Sequence, residues 1–186
     1  DNEAYKVNFY STFSNLNCQP SHLDFFKRTP DLNRLIFDQD VVFVGGGNTK
    51  SMLAVWKEWG LDKILRKAYQ KGVVMSGVSA GAICWFENGV TDSWSSNLKL
   101  MPCLNFIKGT CCPHYDEEPE RKPTVRKFLM NKKIKNVYAA DGGAALHIKN
   151  EQSFTAVVFK KDKSSYLVNI EDKNIMEKSF RKKILI

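Results

Sequence analysis

Residues 77–81 read Gly-Val-Ser-Ala-Gly, a spacing that could do nucleophilic chemistry. A serine hydroxyl is a weak nucleophile until a turn exposes it and a base takes its proton. Such a turn strains the serine backbone, so its neighbours must be small. Gly77, Ala80 and Gly81 meet that demand. The flanks agree: GVVMSGV (72–78) reads as a buried strand and SAGAICWF (79–86) as a helix that starts at once. A helix start would aim backbone N–H groups at a developing oxyanion. The competing reading is a plain strand-to-helix turn with a capping serine.

A serine nucleophile needs a base, and the chain has three histidines. His22, in QPSHLDF, lies in the N-terminal segment, far from the turn in the pattern. His147, in AALHIKN, would point to one face of a strand. His114, in CCPHYDEE, follows a strand-like run and is stiffened by Pro113, so it is the expected base. An acid should orient the imidazole. Asp141, in AADGGA, ranks first and Asp92, in VTDSW, second; either could instead be a turn or capping aspartate. Asp116, two residues from His114, reads as too close in sequence to fold back.

GGGNT (45–49) is the other glycine-rich segment. It satisfies neither GxxxxGK[ST] nor GxGxxG, so phosphate cradling is not indicated. Gly46 or Gly47, with Ala80, are the expected backbone donors to an oxyanion, and Asn48 the cap of the next helix. A plain turn is the alternative.

These segments need strands and helices to position them. Val41–Val44 reads as a short buried strand; 51–60 and 61–72 carry helical apolar faces closed by Gly60 and Gly72. Further strands are expected within 104–112, 136–148, 153–161 and 164–170, the last two paired as a hairpin, with a basic helix over 119–133. Alternating strands and helices predict one α/β domain over 1–186 with a mainly parallel sheet, the site lying at the strand ends.

The composition sets limits. The 186 residues are 43% hydrophobic and 12% aromatic, with a net charge of +8. The lysines are scattered without interleaved aromatics, so nucleic acid is not an expected partner. No apolar run approaches the ~18 residues of a membrane span, and DNEAYKVNFY at the start is no signal peptide. The five cysteines include no C-x-x-C pair, which argues against a disulfide framework or a metal site and fits a cytoplasmic setting. Cys111 and Cys112 would point to opposite faces of a strand. No cofactor is expected.

VVFVGGGNT (41–49), GVSAGAICWFENGVTDSW (77–94), the PHYD around His114 and AADGGAALHI (139–148) together resemble the peptidase E family, the serine aspartyl dipeptidases, which also include cyanophycinases. The likeness runs over about residues 35–160. It implies a flavodoxin-like α/β fold, with helices on both faces of the sheet and a C-terminal β-hairpin, related to class I glutamine amidotransferases with serine in place of cysteine. It implies Ser79 as nucleophile, His114 as base and Asp141 or Asp92 as the acid. Arg121 stands where such enzymes bind an acidic substrate side chain, with Lys122 and Arg126 as competitors, and Asn48 is a further substrate-binding candidate. The family's first strand and helix precede the region where this chain begins. The implied activity is hydrolysis of short peptides, with N-terminal Asp the first to consider, by a monomer or homodimer. A cyanophycinase-like hydrolase and a non-catalytic amidotransferase-like binding module are the alternatives.

Overall fold

A computed structural model describes residues 3–185. Helices α1 (Glu3–Phe13) and α2 (Leu32–Phe37) lead into strand β1 (Val41–Val44), helices α3 (Thr49–Glu58) and α4 (Leu61–Gln70) and strand β2 (Val74–Gly77). A single helical turn, α5 (Ala80–Ile83), precedes strands β3 (Phe86–Thr91), β4 (Lys99–Pro102) and β5 (Ile107–Cys112). Helix α6 (Arg121–Met130) follows. Strands β6 (Val137–Ala140), β7 (Ala144–Lys149), β8 (Ser153–Val158), β9 (Ser165–Glu171), β10 (Asn174–Ser179) and β11 (Arg181–Ile184) complete the chain.

The fold is α/β, and parallel pairing lies where it matters for the site. β1 and β2 run parallel with Val44 opposite Gly77, and the Val78 N–H extends the ladder to the Val44 carbonyl at 3.0 Å. The glycine turns that follow these strands therefore leave the sheet side by side. A six-stranded sheet, in the order β10-β9-β6-β5-β3-β4, is parallel across β3-β5-β6 and antiparallel towards both edges. β7, β8 and β11 form a third sheet.

The C-terminal hairpin joins β9 to β10, and β8 pairs with β7 and β11 in place of β9. Backbone turns explain the choice. Asp172 and Lys173, both at positive φ, make the two-residue turn between β9 and β10. Asn150 and Glu151, also at positive φ, bend β7 into β8. Such turns match the twist of paired strands. Among residues 159–164, which connect β8 to β9, none has a positive φ.

The expected helix over 79–86 is cut short as well. Ile83, Cys84, Trp85 and Phe86 are all buried, so no polar face remains for a longer surface helix. The carbonyls of Cys84, Trp85 and Phe86 accept from the backbone of 104–107, and that pairing draws the chain into β3.

Two apolar cores flank the sheet. Trp56 of α3 and Leu61, Leu65 and Ala68 of α4 pack with Val44, Trp85 and Cys111. Val125, Phe128 and Leu129 of α6 pack with Val90, Val137, Val168 and Cys112. Neighbouring residues of β5 thus serve opposite faces, as strand alternation requires.

Candidate active site

Ser79 sits between β2 and α5 with φ 54° and ψ −115°, a conformation that side-chain-bearing residues rarely adopt. The glycines around it are required by close approach. A methyl on Gly77 would lie 2.4 Å from the Gly81 carbonyl oxygen, and one on Gly81 would lie 2.0 Å from that of Val44. The turn is pressed against the end of β1, and only glycines fit.

His114 follows β5 and Pro113. Its Nε2 is 3.0 Å from Ser79 Oγ, and its Nδ1 is 2.8 Å from Glu117 Oε2. An ionised carboxylate only accepts, so Nδ1 carries the hydrogen and Nε2 presents a lone pair to the serine hydroxyl. His114 itself has φ 55°, and its carbonyl accepts from the N–H groups of both Glu117 and Glu118. That turn folds the chain back and returns Glu117 to the ring of a residue three positions earlier. The loop is tied down by Tyr115 N–H to the Ala140 carbonyl, and by Asp116, which accepts from Gly142 N–H at 2.8 Å and pairs with Lys163.

The 45–47 turn lies beside the serine. A methyl on Gly46 would stand 3.5 Å from Ser79 Cβ. Gly47 has φ 144°, open to glycine and strained for other residues. Asn48 caps α3, accepting from Ser51 N–H at 2.9 Å, and its amide donates to the Ser93 carbonyl at 2.6 Å. The Gly46 N–H donates to the Tyr5 hydroxyl at 2.8 Å. The N–H groups of Gly47 and Ala80 make no hydrogen bond to a described residue.

The remaining candidates stand elsewhere. Asp141 is 6% exposed, and its carboxylate accepts from Ser164 N–H and the Tyr166 hydroxyl, at 3.0 and 2.9 Å. Burial, aided by that carboxylate, pushes the Tyr166 phenol up to about 12. Asp92 lines a groove beside Glu117. Neither aspartate is a hydrogen-bond partner of His114; Glu117 takes that position. Arg121 is 4% exposed, with Nε and Nη2 on Glu118 and Nη1 on the Val90 carbonyl. Its guanidinium is engaged inside the protein.

The model for peptidase family S51 matches residues 1–156. The chain belongs to this family. It is 47% identical over 178 residues to the uncharacterized peptidase YgaJ of Bacillus subtilis, covering 95% of this chain and 77% of that one. Peptidase E of Pasteurella multocida is 33% identical over 130 residues, covering 64% of this chain and 55% of its own. The chain thus spans little more than half the length of that relative. The crystal structure of a candidate peptidase E protein from Listeria monocytogenes EGD-e aligns with a TM-score of 0.48 and 21% identity, over 80% of this chain and 64% of the other.

In this S51 chain the groove beside Glu117 has a volume of about 940 Å³ and carries both charges: its lining includes Asp92, Glu117 and Glu120 as well as Lys99 and Lys127, with Trp94. The buried thiols are poor nucleophiles. Burial raises Cys84 well above its ordinary value and Cys112 to about 12. His22 is held by Tyr10 and Asp24, and His147 is exposed on β7. Among the described residues no group of three or more His, Cys, Asp or Glu could hold a metal ion, and no helix is long and apolar enough to cross a membrane.

Two participants in this geometry were not indicated by sequence. Glu117 lay in plain view in PHYDEE, but sequence proximity counted against its neighbour Asp116. The positive φ of His114 belongs to the turn that makes the return. Tyr5 is 41 residues from Gly46, on a helix that buries no residue, and no periodic signal pointed to it.

Proposed function

We propose that this chain is a serine peptidase acting on short peptides, with Ser79 as nucleophile, His114 as general base and Glu117 as the residue that orients the imidazole. The observation that carries this is the continuous Oγ–Nε2, Nδ1–Oε2 relay from a serine at φ 54°. Membership of a peptidase family supports the reaction class.

In the first step Ser79 Oγ bonds to the scissile carbonyl carbon, the carbonyl π pair moves onto oxygen, and the serine proton passes to His114 Nε2. The Glu117 carboxylate stabilises the imidazolium through the Nδ1 proton. The N–H groups of Gly47 and Ala80 are free to donate to the oxyanion. When the carbonyl re-forms, the C–N bond breaks and His114 returns the proton to the leaving amine. Water then releases the acyl group by the same exchange. The mixed charge of the adjoining groove suits a short zwitterionic peptide, and peptides with N-terminal Asp are the first substrates to try.

The test is a panel of Asp-X, Asn-X, Glu-X and Gly-X dipeptides incubated with wild type and with Ser79→Ala. Cleavage by wild type alone is expected. Hydrolysis that persists at the wild-type rate in folded Ser79→Ala would remove the mechanism.

A further inference from the structure

Three glycines in a row at 45–47 invite a separate reason for each. Gly47 answers with its φ of 144°. Gly45 and Gly46 have no such φ, so their reason lies in space. A methyl on Gly45 would lie 2.7 Å from Cε1 and 2.8 Å from Cζ of Tyr5. The phenol ring occupies the room that the missing side chain leaves. A methyl on Gly46 would lie 3.8 Å from the Tyr5 hydroxyl and 3.5 Å from Ser79 Cβ, so hydroxyl and serine flank the same spot. Gly46 N–H donates to that hydroxyl at 2.8 Å.

A phenol that accepts a hydrogen bond keeps its own proton to give. The Tyr5 O–H has no acceptor among the described residues. We infer that Tyr5 is a further catalytic residue, whose hydroxyl relays the Gly46 N–H to the transition-state oxyanion and donates to it beside Gly47 and Ala80. Gly46 then acts through Tyr5 and strengthens its O–H as a donor. The helix is steered into place from elsewhere: Lys6 binds Asp24 at 2.8 Å, and Phe9 and Phe13 pack on Phe43 of β1. This inference rests on the serine peptidase reading above.

The experiment compares wild type, Tyr5→Phe, Gly45→Ala and the double variant, by dipeptide hydrolysis and by the rate at which a diphenyl phosphonate labels Ser79. Since α1 buries no residue, Tyr5→Phe keeps the fold, as its melting curve will show. Loss of one oxyanion donor predicts a fall in kcat of about a hundredfold to a thousandfold, with KM nearly unchanged and slower labelling. Gly45→Ala expels the ring, so it should cause a similar loss, and the double variant should lose no more than either single change. An unchanged kcat in Tyr5→Phe overturns the inference. So does a faster enzyme, which would make the hydroxyl a plug in the pocket. Should wild type neither cleave peptides nor label at Ser79, the peptidase reading fails and takes this inference with it. Should wild type label and cleave while Tyr5→Phe is unaffected, only the role of Tyr5 falls.

Discussion

The Glu117 carboxylate occupies the space where a side chain on Gly142 would begin: a methyl there would stand 2.2 Å from Oε1. Gly142 is therefore a mould for the group that holds His114. Glu117→Gln should lower kcat by about a hundredfold or more, since an amide can misorient the imidazole tautomer. Gly142→Ala should push the flexible carboxylate aside, lowering kcat at least tenfold with little change in melting temperature. Steady-state kinetics beside thermal melts check both. Full activity in Gly142→Ala would mean that the contact does not matter.

Asp141 has a different task. It is buried, and its Oδ2 accepts from both Ser164 and Tyr166. Asp141→Ala strands a buried N–H, which costs about 1–3 kcal/mol. Denaturant midpoints should fall accordingly, while kcat per folded molecule stays within about threefold of wild type. A collapse of kcat in a stably folded variant would return Asp141 to the catalytic relay.

Arg121 should also be felt in stability before selectivity. Arg121→Met leaves the Val90 carbonyl without its 2.7 Å donor and Glu118 without its partner. A loss of about 2 kcal/mol is expected. The ratio of kcat/KM for Asp-X over Gly-X should not change. A fall in that ratio at unchanged stability would show that the guanidinium reads substrate.

Acid should loosen the loop that carries Glu117. Partial burial raises the Asp116 pKa, but Lys163 and the Gly142 N–H outweigh it and hold the group below its ordinary value. A depressed folded pKa gives stability that is present above the unfolded value, near about 3.9, and is lost as pH falls through the folded one. Wild type should therefore exceed Asp116→Asn in denaturant midpoint at pH 7, and the gap should close below about pH 4. A gap independent of pH would contradict this account.

Much of the scaffold was legible because local signals and tertiary demands agree. Val41–Val44 is an apolar run that ends at glycines and forms a strand, yet it is not the buried strand expected: only Val44 is buried, while Val41 and Phe43 are exposed. Asn48 caps the helical face that follows. The turn at Ser79 was legible because its small residues are needed for the approach of Val44. The segment after it was not, since Trp85 and Phe86 suit a buried helix and a buried strand alike, and the 104–107 backbone decides. The ADGG run points to its aspartate, whereas the glycine beside it abuts the Glu117 carboxylate that bonds His114. The GGG run points to backbone, whereas one of its glycines admits a phenol from a helix that buries no residue. In each case the partner is remote or its path depends on one unusual φ, which residue types alone do not report.

Strand β5 sends Cys111 into one core and Cys112 into the other, and its continuation is Pro113 and His114. Slipping that strand by one residue would exchange its faces and turn the histidine away from Ser79. The position of His114 is thus indexed to both apolar cores. On heating, such a protein should not fall silent while still folded: hydrolysis and tertiary structure should disappear in a single cooperative event.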